Sequence, residues 1–126
     1  MSAEELDTAQ QFQSAAQDAL RTGDAAAVVA LLAADIECMT PQRTLQGAEA
    51  SDAIAEDLLR ARPAESLEVE FESDDWTSLG DGRYVCEIRA HYRSKSTGEV
   101  SYTRDRTFEL TIRSGEVSRL EMRFAG

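Results

Sequence analysis

The sequence is poor in the residues that build metal and redox centres. It has one histidine, His91, and two cysteines, Cys38 and Cys86, with no cluster of these and carboxylates at metal-ligand spacing. No metal and no cofactor are expected. The acidic amino-terminal stretch MSAEELDTAQQF lacks a basic start and an apolar signal core, so a cytoplasmic location and buried free thiols are expected rather than a disulfide. No apolar run approaches the roughly 20 residues that a membrane span requires. A Gly-rich phosphate loop and a serine nucleophile motif are also missing. Basic charge is scarce: 13 Lys and Arg stand against 24 Asp and Glu, for a net charge of −11 and a pI near 4.4. Acids outnumber bases on both sides of Pro63, so the surplus is spread. Nucleic acid and anionic membranes would be repelled.

What is present describes a globular chain. With 126 residues, 42% apolar and 29% charged, residues 1–126 read as one domain with one core. Leu6, Ala9, Phe12, Ala16, Ala19 and Leu20 recur at helical spacing, which predicts an amphipathic helix over 3–22 ended by Gly23. Asp24 is placed to cap a second, largely buried helix over 25–34, carrying Val28, Val29, Leu31 and Leu32. The stretch Asp35-Ile36-Glu37-Cys38-Met39-Thr40-Pro41 reads as a short strand that turns at Pro41-Gln42 and returns through Leu45. Gly47 then opens a third helix over 48–61, with Ile54, Leu58 and Leu59 as its apolar stripe, and Pro63 closes the helical half.

Beyond Pro63 the apolar period falls to two. Leu67, Val69 and Phe71 alternate with glutamates, and Tyr84, Cys86, Ile88, Ala90 and Tyr92 alternate with polar residues. Phe108, Leu110 and Ile112, then Leu120, Met122 and Phe124, repeat the pattern. Turn residues at Gly80-Asp81-Gly82, Thr97-Gly98 and Ser114-Gly115 separate the strands as hairpins do. Helices followed by an antiparallel meander define an α+β fold, with helices on one face of a curved sheet. The other face carries Glu68, Glu70, Glu72, Glu87, Arg89, Arg93, Glu109, Arg113, Arg119, Glu121 and Arg123. It reads either as a solvated face laced with ion pairs or as a polar dimer interface.

The run from Gly23-Asp24 through Asp35-Ile36-Glu37-Cys38-Met39-Thr40-Pro41, the helix opened by Gly47, and the closing hairpin Gly115 to Met122 resemble the nuclear transport factor 2-like superfamily. The resemblance is to its small bacterial branch, which holds ketosteroid isomerase and SnoaL-like polyketide cyclases. It implies a cone in which a curved antiparallel sheet wraps three helices around an apolar pocket, and a homodimer through the outer sheet face. The inward set from the alternation would line that pocket: Phe12 and Ala16 from the first helix, Cys38 and Thr40 from the short strand, and Leu58 from the third helix. Cys86, Ile88, Phe108, Leu110, Leu120 and Met122 would complete it from the sheet. Tyr102, Arg104 and Arg106 continue the Phe108 face toward the mouth, where two arginines can hold a carboxylate or phosphate or pair with surplus acids.

The resemblance also locates what the chain has lost. The position of the isomerase base falls on Thr40, and its two acidic oxyanion donors fall on Ala16 and about Phe108. None can do that chemistry unaided. Asp35 and Glu37 should point away from the pocket, as should His91. Trp76 either stacks a ligand or fills a core gap. Two functions remain open: an apolar small-molecule-binding or enzyme-like protein, and a dimeric scaffold whose pocket is filled by its own side chains.

Overall fold

The computed structural model describes residues 3–124, the side chain of Phe124 excepted, so the inward position expected for Phe124 lies outside the described residues. Helix α1 spans Ala3–Thr22 and buries Ala9, Phe12, Ala16, Ala19 and Leu20, one stripe of its surface. Gly23 ends it at φ 82°, and the Gly23 N–H donates to the Ala19 carbonyl at 2.9 Å.

The second helix is much shorter than its sequence suggests. Helix α2 is a single turn, Ala26–Val29, and strand β1 already begins at Leu32 and runs to Met39. Asp24 still steadies the start of that turn, its Oδ1 accepting from the Ala26 N–H at 2.9 Å. Tertiary pairing overrides local preference beyond it: the Val117 N–H donates to the Leu31 carbonyl at 2.8 Å, and Leu32 is drawn into register with Val117. Strand β2, Thr44–Gln46, pairs antiparallel with β1.

Gly47 sits at φ 67°, ψ −137°, a conformation close to glycine-only territory, and starts helix α3, Ala48–Arg60. Helix α3 buries Ala50, Ala53, Ile54 and Leu58. The chain then builds β3 (Leu67–Ser73), β4 (Thr77–Gly80), β5 (Arg83–Ser94), β6 (Val100–Arg113) and β7 (Glu116–Phe124). Their order with the first two strands is β2-β1-β7-β6-β5-β3, with β4 beside β5. All pairs are antiparallel except β1 with β7, so the sheet is mixed.

Strand β4 was not legible as a strand. It and β3 pair with the same edge of β5, separated by the bend at Asp74 and Asp75. Trp76 turns inward at that bend, 9% exposed, and its indole N–H donates to the Gln13 Oε1 at 2.8 Å. It is a core residue tied to α1.

The helices cover the concave face over one large apolar cluster, in which Ile36, Ile54, Tyr84, Leu110 and Leu120 are among the most deeply buried side chains. Each such residue contributes roughly 1.5–3 kcal/mol of burial. The single core expected from chain length is joined by a satellite cluster of Val69, Ala90 and Tyr92, packed with Leu67 and Phe71. It forms where β3 and β5 extend beyond the main cluster. The seam between the two clusters is where the candidate site lies.

Candidate functional site

A cavity of about 40 Å³ opens between α1, the end of α3 and the concave face of β3, β5 and β6. Helix α1 supplies Phe12, Gln13, Ala16, Gln17 and Leu20, and Leu58 and Ala61 come from α3 and its end. The sheet contributes Phe71, Ile88, Ala90, Tyr92, Arg104, Arg106 and Phe108. The volume admits a few water-sized bodies and falls well short of the roughly 300 Å³ typical of a drug-sized ligand site.

Interior packing explains the small volume. The Phe12 and Phe108 rings meet edge to face, centroids 6.4 Å apart, and close the deep end of the cone. Behind them Cys38, Cys86, Leu110, Leu120 and Met122 are packed into the main cluster. Of the residues expected at a pocket, Phe12, Ala16, Leu58, Ile88, Arg104 and Phe108 are placed around this cavity, while those five, Thr40 and Tyr102 lie outside its lining. Alternation identified their side of the sheet, but it cannot report whether space remains in front of them.

Thr40 lies one residue beyond β1 and serves its turn. Its hydroxyl donates to the Arg43 carbonyl at 3.3 Å and accepts from the backbone N–H groups of Gln42 and Arg43 at 3.4 and 3.3 Å. Asp35 and Glu37 turn outward, toward Arg113 and Arg119 at 3.5 and 3.3 Å. His91 also faces out, between Thr103 and Glu72.

At the mouth, Tyr92 and Tyr102 stack with centroids 4.5 Å apart, and the Arg104 guanidinium lies 5.9 and 5.6 Å from their ring centres. The Tyr92 hydroxyl donates a short hydrogen bond to the Ala61 carbonyl, tying β5 to the end of α3. Burial raises the Tyr92 pKa above its ordinary value, against the opposing pull of Arg104. Arg106 reaches deeper, with Nη1 3.8 Å from the Met122 sulfur. Desolvation lowers its pKa first and the Arg104 charge adds to that, while Tyr92 and Asp57 oppose it.

The residues missed by sequence reasoning are Gln13, Gln17, Leu20, Ala61, Phe71, Ala90 and Tyr92. Ala90 and Tyr92 carried a readable signal, because they share the inward phase of Ile88. The lining offers guanidinium, phenol and amide groups, and no carboxylate among the described residues. No group of three or more His, Cys, Asp or Glu is positioned to hold a metal among those residues, and no helix is long and apolar enough to cross a membrane.

A mixed, curved, unclosed sheet wrapped on amino-terminal helices is the architecture of the nuclear transport factor 2-like class. The chain belongs to the SnoaL-like domain family, whose model matches residues 14–120. A nuclear transport factor 2-like protein from Anabaena variabilis superposes with a TM-score of 0.74 at 17% identity, covering 100% of this chain and 93% of that one. Another from Burkholderia xenovorans gives 0.64 at 23% identity, over 99% and 92% of the two chains. AclR from Streptomyces galilaeus, provisionally described as a hydroxylase, gives 0.69 at 14% identity, over 99% and 91%. No curated protein matches the sequence significantly. At these identities the structures share the fold with this chain.

Proposed function

We propose that this chain is a small-molecule-binding protein whose ligand enters the cavity between α1 and the sheet, without the proton-transfer set of ketosteroid isomerase. The observation that carries the reading is the lining itself: apolar walls from Phe12, Leu58, Ile88 and Phe108, with a few polar groups from Gln13, Gln17, Tyr92, Arg104 and Arg106 among them. That is the composition of a ligand site. Phe71 and Ile88 are only half-buried, so the outer wall can yield while the deep end stays closed. At the three isomerase positions stand Thr40, Ala16 and Phe108, and the turn already uses the Thr40 hydroxyl. Binding, rather than proton abstraction, is the chemistry this set supports.

A thermal-shift screen with sterol, polyketide and terpenoid sets tests the reading. A ligand present at 100 times its Kd stabilises the folded state by about 2.7 kcal/mol and must raise the Tm. No response in any set would transfer support to the second reading, a dimeric scaffold docked through the outer sheet face. The small cavity favours that alternative, as does the ion-paired outer face, where Arg93 meets Glu70 and Arg83 meets Glu109, both at 3.1 Å.

A further inference from the structure

We propose that the open edge of β6, from Val100 to Asp105, pairs with the same edge of a second copy of this chain, antiparallel and centred on Thr103. The two sheets would then join strand to strand, a contact separate from the outer sheet face. Strand β6 outruns one of its neighbours. Its register with β5 continues as far as Val100 opposite Arg93, whereas β7 ends with Phe124 opposite Arg106. Among the described residues nothing pairs with β6 on the β7 side from Val100 to Asp105, and the side chains of that segment are all exposed. The Ile112 N–H donates to the Gly82 carbonyl at 2.8 Å, so by alternation along β6 the backbone groups of Thr103 and Asp105 aim away from β5. Val100 and Tyr102, two of the few large apolar side chains left exposed, lie on this segment.

The other edges of the sheet are defended against such pairing. Strands β2 and β4 are only 3 and 4 residues long. Strand β3 carries Glu68, Glu70 and Glu72 with no basic residue, so a second copy paired there would set like charges against each other. Val100–Asp105 holds one arginine, one aspartate and no proline, and is neutral in a chain of net charge −11. Its irregularity is a register shift that leaves Ser101 without a partner on β5, which keeps Tyr102 to Asp105 regular.

Chemical matching selects the register. Centring on Thr103 pairs this threonine with its own copy and sets Tyr102 opposite the partner's Arg104, twice over by symmetry. Within one protomer the Arg104 guanidinium already lies 5.6 Å from the Tyr102 ring centre, so the same cation and ring meet again across the two-fold axis. Centring on Asp105 would instead oppose two aspartates and set Arg104 against the partner's Arg106. Because Arg104 lines the cavity, the partner's Tyr102 would border its mouth.

An edge of this length makes a small interface and a weak dimer, so the test is sedimentation equilibrium at high protein concentration, in salt that screens the net charge. Wild type should dimerise. Thr103→Pro removes the N–H at the centre of the new ladder from a position that faces away from β5. Its circular dichroism should match wild type while its dimerisation weakens by about a hundredfold. Thr103→Cys should form a disulfide between copies under mild oxidation, and Ser101→Cys should not, because in this register its two copies lie about 14 Å apart, beyond the roughly 7 Å that a disulfide spans. Cys38 and Cys86 are buried and stay out of that reaction. The cross-link carries the test if Thr103→Pro fails to fold. A monomeric wild type would overturn the proposal, as would a dimer that persists unchanged in folded Thr103→Pro and so belongs to another surface. Cross-linking of Ser101→Cys as readily as of Thr103→Cys would overturn the Thr103-centred pairing.

Discussion

The Cys86 thiol donates to the Asp74 carbonyl at 3.0 Å and is 2% exposed. Burial pushes its pKa up to about 11, and the charges of Asp74, Asp75 and Glu87 act in the same direction. In the unfolded chain the thiol gives up its proton near 9.0, so between those two values the unfolded state binds fewer protons than the native one. Stability is therefore full below pH 9 and falls as pH rises toward 11, by about 2–3 kcal/mol from this group alone. Urea unfolding at pH 8 and pH 11 should show that loss in wild type and a smaller one in Cys86→Ala, where Cys38 and Tyr92 still contribute. An identical pH dependence in the two proteins would remove Cys86 as a cause. The side of the sheet on which this residue falls was legible from alternation. The Thr40 environment was not, because β1 stops at Met39 and the period-two rule ends one residue too soon.

Among the elements, α1 decides how much of the cone is open. Its Phe12 is 3% exposed and meets Phe108 across the interior, so the helix acts as a plug as well as a cover. Phe12→Ala should cost about 3–5 kcal/mol in denaturant unfolding and leave an apolar void continuous with the cavity. The variant should then bind benzene, detectable as a Tm rise that wild type does not show. A loss below about 1 kcal/mol would mean that the neighbours collapse into the space and that Phe12 does not hold the cone closed. The helical half was legible where periodicity ran long, as in α1 and α3. It failed at Ala25–Ala34, where an alanine-rich apolar run fits a buried helix or a buried strand equally, and only the distant partner β7 decides. The parallel β1–β7 pairing and the interrupted edge formed by β3 and β4 are likewise set by partners far along the chain.

The whole molecule carries eleven surplus negative charges, while its outer face is laced with short opposite-charge contacts. These two electrostatic features respond differently to salt. Contacts such as Arg93–Glu70 at 3.1 Å and Arg123–Glu121 at 3.2 Å act well inside a Debye length, and each exposed pair contributes about 0–1 kcal/mol. The surplus acids repel one another over longer distances, and that repulsion is largely screened when the Debye length shrinks from about 30 Å at 0.01 M to about 10 Å at 0.1 M. Repulsion should therefore weaken more than attraction. The Tm should rise by a few degrees between 10 and 200 mM sodium chloride, and a fall would show that the ion pairs outweigh the net charge. The same balance governs association through the outer face, because two copies of a strongly acidic chain must approach before their ion pairs can interlock. If that face forms a dimer, sedimentation equilibrium should give tighter association at 200 mM than at 10 mM. A monomer at both salt concentrations and high protein concentration would exclude the dimer and leave the ladder as a solvated face, whose charges serve solubility and strand register.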